Sequence, residues 1–394
     1  MSTAPPGIPA ALLDDVRDRL LSTPGPVTDA DIAEAVRANG TVLGPAGTLR
    51  ALQAVRAELT GLGPLEPLLA HRGLTDVFVN GAGQVWLETG TGVFRVASPF
   101  GSDAEVRALA VRLVAAAGRR LDDAHPCADV QTSAGYRVHA VLPPVSTGGT
   151  LLSVRFRSPR SLSLPDLVAA GTVHPDTADL LGAAVRSGAN FLVSGATGAG
   201  KTTLLNALLS LAPVHERIVL IEDAAELRPE HPHVVGLQAR HANTEGAGVL
   251  DLAELVRQAL RMRPDRIVVG ECRGAEVREM FTALNTGHAG AGTVHANSAH
   301  AVPARLAALG ALAGMSREAV VLQAASALDL VVHVARTGGR RRVRAVDLLE
   351  ERDGTLSTVP AAAQEDGGLR RGPGWDRLCA LVGRSPGSGR GALP

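Results

Sequence analysis

The sequence predicts an α/β fold: a sheet with crossover helices, preceded by a smaller mixed domain and a helical N-terminal segment. Three observations predict it. From about residue 175, helical apolar stretches alternate with short apolar strands, the pattern of helices crossing a sheet. Residues 61–157 instead carry short runs of alternating character around one long helical pattern. Within the alternating region, residues 190–203 read NFLVSGATGAGKTT, a glycine-rich turn between an apolar strand and an apolar helix.

Taken in order, residues 1–9 form a leader expected to be flexible, and residues from Ala10 to about Leu59 read as helices, with Leu13, Val16 and Leu20 at helical spacing. Pro64 and Pro67 break the chain before TDVFVNG and QVWLETG, which read as a hairpin around Gly81 to Gly83. Ser102 and Glu105 have the spacing of a capping box opening the helix DAEVRALAVRLVAAAGRR. The strands YRVHAVLPP and GTLLSVRFR follow, carrying or flanking Arg137, Arg155 and Arg157, which either meet phosphates at a domain boundary or are ordinary surface residues. Residues 158–174 read as a linker. The region 175–352 then runs helix PDTADLLGAAVRS, strand FLVS, a helix over 202–211, strands RIVLIED and VVGLQ, a helix from about Leu250 to Met262 and strand DRIVVGE. Helix AEVREMFTAL, strand GTVHA and helix VPARLAALGAL continue it, and LDLVVHVAR with RRVRAVDLL forms a closing hairpin. Beyond about Asp353, glycine, proline and arginine predict a loose tail over 353–394.

Composition bounds the partners. Basic and acidic side chains number 39 each, leaving no excess charge for bulk nucleic-acid binding, so no nucleic-acid partner is expected despite the local basic turn Arg340, Arg341, Arg342 and Arg344. Cys127, Cys272 and Cys379 are too few and too scattered for a disulfide framework or a four-cysteine zinc site, which points to a reducing compartment. No apolar stretch is long enough to cross a bilayer.

The turn at 195–203 has the spacing G-x-x-x-x-G-K-[ST] in strand, loop, helix context, which is a phosphate-binding loop. Gly195, Ala196, Thr197, Gly198, Ala199 and Gly200 let the backbone N–H groups face inward. The helix that follows adds its unpaired first-turn donors. Lys201 is expected to reach the β- and γ-phosphates of a nucleotide, and the hydroxyl of Thr202, followed by Thr203, to hold Mg²⁺. Turnover needs a carboxylate, and strand IVVG ends at Glu271, placed to polarise water or to help hold Mg²⁺; Gly270 stands where a strand aspartate is usual. A second strand ends at Glu222 and Asp223, with Glu226 beyond, suited to a metal water shell, to water orientation or to a solvated turn. His288 and His295, in NTGHAGAGTVHANS, read as a γ-phosphate sensor or as satisfied loop histidines. No third ligand is spaced to make them a metal site.

Six blocks carry a resemblance: GLGPLEPLL (61–69), SGATGAGKTTLLNAL, RIVLIEDAAEL (217–227), NTEGAG (243–248), ALRMRPDRIVVGECRGAE (259–276) and NTGHAGAGTVHANS. Together, over about residues 60–350, they resemble the secretion and pilus-assembly ATPases of the CpaF/TadA type, within the type II/type IV secretion ATPase superfamily. The resemblance implies a RecA-like P-loop ATPase domain behind a smaller, PAS-like mixed α/β domain. It also implies a homohexamer at the cytoplasmic face of the inner membrane, joined to membrane platform proteins of a pilus or secretion apparatus. Glu222, Asp223 and Glu226 fall on the family's acidic box, Glu271 on its glutamate-only Walker B, and His288 and His295 on its histidine box. Arg137, Arg155 and Arg240 match its phosphate-facing arginines. Where the family has an aspartate-alanine-arginine run, this chain has Asp129, Val130 and Gln131, and Cys272 replaces a β-branched residue. The function implied is ATP hydrolysis powering Flp (tight adherence) pilus assembly; the alternatives are a conjugation or type IV secretion motor and a low-turnover nucleotide-gated scaffold.

Overall fold

In a computed structural model of the chain, the structure describes residues 16, 29–38, 55, 61–90, 92–132, 134–156, 161–240, 248–365 and 368–384. They fall into two compact units divided between residues 158 and 159. Of the N-terminal helices, α1 (Asp29–Ala38) is described, with Ala35 and Val36 buried; the leader, Arg157 and most of the NTEGAG block lie outside the described residues.

In the first unit a 3-10 helix, Gly63–Ala70, takes up both prolines and leads into β1 (Leu74–Asn80), β2 (Val85–Thr89), β3 (Gly92–Val96), α2 (Asp103–Ala116), β4 (Cys127–Gln131), β5 (Arg137–Val141) and β6 (Leu151–Arg155). The strands form one antiparallel sheet in the order β3-β2-β1-β6-β5-β4. Alternate residues such as Val77, Val79, Val138, Ala140, Leu152 and Val154 pack with Val106, Leu109 and Leu113 of α2. At the expected capping box the Ser102 side chain makes no cap bond, and Glu105 accepts from the N–H of Gly101, the residue before the cap, at 3.1 Å.

The second unit begins with α3 (Leu164–Ala169), so the segment expected to be a plain linker contains a helix. Ser163 accepts from the Asp166 N–H and the Asp166 carboxylate accepts from Ser163, a reciprocal cap, and Leu164 and Leu167 enter the core. There follow α4 (Pro175–Arg186), β7 (Phe191–Ser194), α5 (Lys201–Leu209), β8 (Ile218–Glu222), β9 (Val234–Gln238), α6 (Leu252–Leu260), β10 (Arg266–Cys272), α7 (Glu276–Asn285), β11 (Ala289–Val294), α8 (Val302–Leu312) and α9 (Arg317–Ala327). The chain continues through β12 (Leu330–Thr337), β13 (Arg340–Arg352), β14 (Thr355–Glu365), β15 (Gly368–Arg371) and α10 (Trp375–Leu381).

The sheet order is β15-β14-β13-β12-β7-β11-β10-β8-β9. From β12 to β9 all neighbours are parallel, and from β12 to β15 all are antiparallel. Central strands are buried on both faces, as parallel sheets covered by helices require. Phe191, Val193, Ile218 and Leu220 feed one core while Leu192, Val219 and Ile221 feed the other. The tail expected after Asp353 is corrected for residues 355–384: β14 pairs along β13, and Ala361, Ala362 and Leu378 are core residues. Their small side chains hide the strand from a reading of hydrophobicity, and β13 supplies the partner that fixes it.

Candidate functional site

Strands β7, β11, β10 and β8 run parallel side by side, so their C-terminal ends share one sheet edge, where ligands bind in open α/β folds. The loop 195–200 leaves β7 at that edge. Gly195 has φ +156°, and a Cβ there would stand 2.3 Å from the Val334 carbonyl oxygen, so only glycine permits the loop to pass β12 so closely. Gly198 and Gly200 hold φ of +72° and +99°, left-handed conformations that turn the crest. Ala196, Thr197 and Gly198 are exposed and Ala199 is buried. Gly200 caps α5 without a side-chain acceptor, leaving the first-turn N–H groups of Lys201, Thr202 and Thr203 facing the crest. Nothing lies within 4 Å of where a Gly198 Cβ would be, so that side of the crest is open.

Lys201 is buried at its stem, and its ammonium donates to the Ala196 carbonyl at 3.1 Å and to His295 Nδ1 at 3.4 Å. His295 Nε2 in turn lies 2.6 Å from Glu271 Oε1. A neutral imidazole protonated at Nε2 satisfies both contacts, so these three side chains form one line from loop to carboxylate. Burial holds the Lys201 ammonium below its ordinary range, and Glu271 and Glu226 pull it partly back. Glu271 belongs to β10, and His295 follows the last residue of β11.

The acidic box divides into separate jobs. Glu222 is buried, and its Oε1 accepts from the backbone N–H groups of Glu226 and Leu227 at 2.9 and 3.0 Å. Its stem also fills the space beside Gly270, where a Cβ would stand 2.7 Å from Glu222 Cγ; this is the steric reason a strand aspartate is missing there. Asp223 accepts from Arg273, and Glu226 is exposed. His288 is corrected. It precedes β11 whereas His295 follows it, so the two stand at opposite sheet edges, separated by six strand residues or about 20 Å at the usual rise per residue. His288 instead lies 3.2 Å from the Ala283 carbonyl at the end of α7.

Arg240 donates to the Gly248 carbonyl at 2.6 Å and, with Asp223, Arg273 and Glu276, lines a cavity of about 260 Å³ that the phosphate loop does not line. Arg137 and Arg155 belong to the first unit. There Arg137 makes a two-point ion pair with Asp129, at 3.1 and 2.6 Å, and Arg155 pairs with Asp76 at 2.8 Å. Cys272 is a core thiol, its pKa raised well above the ordinary value chiefly by burial.

Supporting residues escaped the sequence reading because their signal is only spatial. Thr293 Oγ1 donates to the Gly270 carbonyl at 2.7 Å, Ser194 Oγ lies 3.0 Å from His333 Nδ1, and Asn206 Oδ1 accepts from the Arg228 N–H at 2.6 Å. Arg273 had a local signal, since it directly follows the β10 carboxylate strand.

The sequence profile of a family described as Type II/IV secretion system protein matches residues 58–363. A putative conjugal transfer protein of Mycobacterium tuberculosis is 51% identical over 326 residues, spanning 81% of this chain and 93% of its own length. Conjugal transfer protein TrbB of Rhizobium radiobacter is 32% identical over 283 residues, spanning 70% and 84%. Among solved structures, the Legionella pneumophila ATPase DotB matches with a TM-score of 0.52 at 19% identity, covering 74% of this chain and 80% of its own, a likeness of fold.

Proposed function

The chain belongs to the type II/IV secretion system protein family, and from that membership we propose that it is an ATP-hydrolysing motor of a secretion machine. Its second unit has the RecA-like α/β fold of the family's ATPases. The observation that carries the activity is the line Lys201, His295, Glu271 at the mouth of the loop.

The loop amides and the α5 N-terminus bind the β-phosphate, and Lys201 exchanges its contacts to Ala196 and His295 for β- and γ-phosphate oxygens. Among the described residues no cluster of three or more His, Cys, Asp or Glu is built for a metal. Mg²⁺ keeps waters and rests on few protein ligands plus phosphates; here the Thr202 hydroxyl and the Glu271 carboxylate, oxygen donors at the mouth of the loop, would hold it. When bound it would neutralise charge developing on the phosphate oxygens. Glu271 orients the attacking water, and the His295 hydrogen bond fixes the carboxylate once Lys201 has turned from His295 to the phosphates. Water oxygen bonds to the γ-phosphorus as the bond to the β-phosphate oxygen breaks, giving ADP and phosphate.

The machine is a finer matter. The conjugal transfer names of the M. tuberculosis and R. radiobacter relatives support a transfer or type IV secretion role, while Flp pilus assembly rests on the resemblance of sequence blocks alone. No helix among the described residues is long and apolar enough to cross a membrane. Family membership supports membrane platform proteins as the partners that hold the motor at the membrane. The test is phosphate release from Mg-ATP against protein concentration, with mass photometry on the same samples. The motor reading expects specific activity to climb as hexamers appear and to collapse in Glu271→Gln. Hexamers without turnover, even after the membrane partners are added back, would leave the nucleotide-gated scaffold instead.

A further inference from the structure

The hairpin β12–β13 turns at Gly338 and Gly339, whose φ of +57° and +79° are those of a tight hairpin turn. β12 pairs with β7 up to His333 opposite Ser194, so Val334–Thr337 runs on beyond the end of β7, alongside the phosphate loop. The close approach of Gly195 to the Val334 carbonyl marks that contact. From β13, Arg341 donates through Nε to the Gly198 carbonyl at 3.0 Å, and its Cδ would lie 3.3 Å from a Cβ at Gly200. Its stem therefore crosses the crest of the loop.

Directly opposite Arg341 in the antiparallel register stands Arg336. Like charges facing each other across strands are unfavourable. Both arginines are exposed, and among the described residues neither has a carboxylate partner. The cations thus lie on the β12 side of the loop, whereas Lys201, His295 and Glu271 lie on its β11 and β10 side, because β7 is flanked by β12 and β11.

We propose that Arg341, backed by Arg336, is a phosphate-chain contact of the nucleotide, closing on it from the side of the loop opposite Lys201. The inference rests on the phosphate-loop reading above. Nε is anchored on the Gly198 carbonyl, which fixes the guanidinium and leaves both Nη groups to donate to phosphate oxygens. The anion also offsets the repulsion between the facing arginines. This assigns Arg341, of the basic turn Arg340, Arg341, Arg342 and Arg344, to nucleotide.

The test is the dissociation constant of ADP and of Mg-ATP for the full chain and for Arg341→Ala, Arg341→Gln, Arg336→Ala and Arg344→Ala, with Lys201→Ala as the loop control. Loss of charge-assisted hydrogen bonds to phosphate predicts about tenfold weaker binding in Arg341→Ala. Gln keeps a donor for the Gly198 carbonyl but carries no charge, and is expected to weaken binding as Ala does. Arg336→Ala is expected to cost a few-fold, Arg344→Ala to bind as the parent, and none to lower the melting temperature without nucleotide. Parent-like affinity in Arg341→Ala, while Lys201→Ala has lost binding, would overturn the proposal and leave the loop reading intact. So would salt-sensitive DNA binding that Arg341→Ala removes while its nucleotide affinity is unchanged. An unmutated chain that binds no nucleotide overturns both readings.

Discussion

His295 sits between a cation and a carboxylate, and each neighbour constrains it: Lys201 faces Nδ1 and Glu271 faces Nε2. Truncating it to alanine removes the link but leaves the loop amides and Lys201 in place. His295→Ala is therefore expected to keep nucleotide affinity within a few-fold while lowering kcat by about 10², the scale of a misplaced water-orienting group. Single-turnover phosphate release checks this; unchanged kcat would return the histidine to a packing role. Gly270 gives a complementary prediction. The Glu222 stem and its two backbone bonds occupy the space a side chain would need, so restoring the usual aspartate there overpacks a buried strand. Gly270→Asp is expected to cost about 1–3 kcal/mol of stability. A melting temperature equal to the parent's would show that Glu222 yields.

The elements beyond Asp353 extend the sheet and complete its core. Removing residues 354–394 strips the 11-residue strand β14 from β13, takes Leu378 out of the core and exposes a long strand edge. Loss of one buried leucine packing site alone costs roughly 2–5 kcal/mol, so the truncated chain is expected to melt at least about 4 °C lower, or to aggregate. A melting point within about 2 °C of the full chain would contradict this placement. On β13, burial raises the Asp347 carboxyl to about 6, a shift that His300 opposes. A carboxyl whose folded pKa is raised carries a penalty that is full above about pH 6 and fades as pH falls toward the ordinary carboxylate value. Asp347→Asn is expected to stabilise the protein by about 1–3 kcal/mol at pH 7.5, with the difference shrinking by pH 4.5. Equal melting temperatures at pH 7.5 would count against it.

What the sequence made legible was local. The phosphate loop is a spacing of glycines, lysine and threonine within one turn, and the α/β alternation is a period; both survive without knowledge of contacts. The PAAA of β14 carries no such signal, because proline and small residues become strand only against β13, with Pro360 taken up at a register shift. β11 shows the same limit in the site itself. Its AGAGTV is small because a Cβ at Gly290 would collide with Leu284 and the Ile267 carbonyl, so only GTVHA reads as strand, its start reads as loop, and His288 reads as a neighbour of His295. Only the parallel register separates them.

At the scale of the whole molecule, 39 basic and 39 acidic side chains cancel, so attraction for a polyphosphate must come from the local field of the loop, not from net charge. That loop joins β7 to α5 at the middle of the nine-stranded sheet and touches β12 through Gly195, so a nucleotide bound there is bound to the folded second unit and not to the unfolded chain. Mass action then stabilises that unit by about 2.7 kcal/mol at a ligand concentration of 100 times Kd. For a unit spanning residues 159–394 this raises the melting temperature by about 5–10 °C. Calorimetry with Mg-ADP is expected to show that rise in the parent and none in Lys201→Ala. Glu271→Gln with Mg-ATP is expected to rise at least as far as the parent with ADP, because the nucleotide stays unhydrolysed on the loop. A parent transition that ignores nucleotide would remove the binding site, and a Lys201→Ala transition that still rises would move it away from the loop.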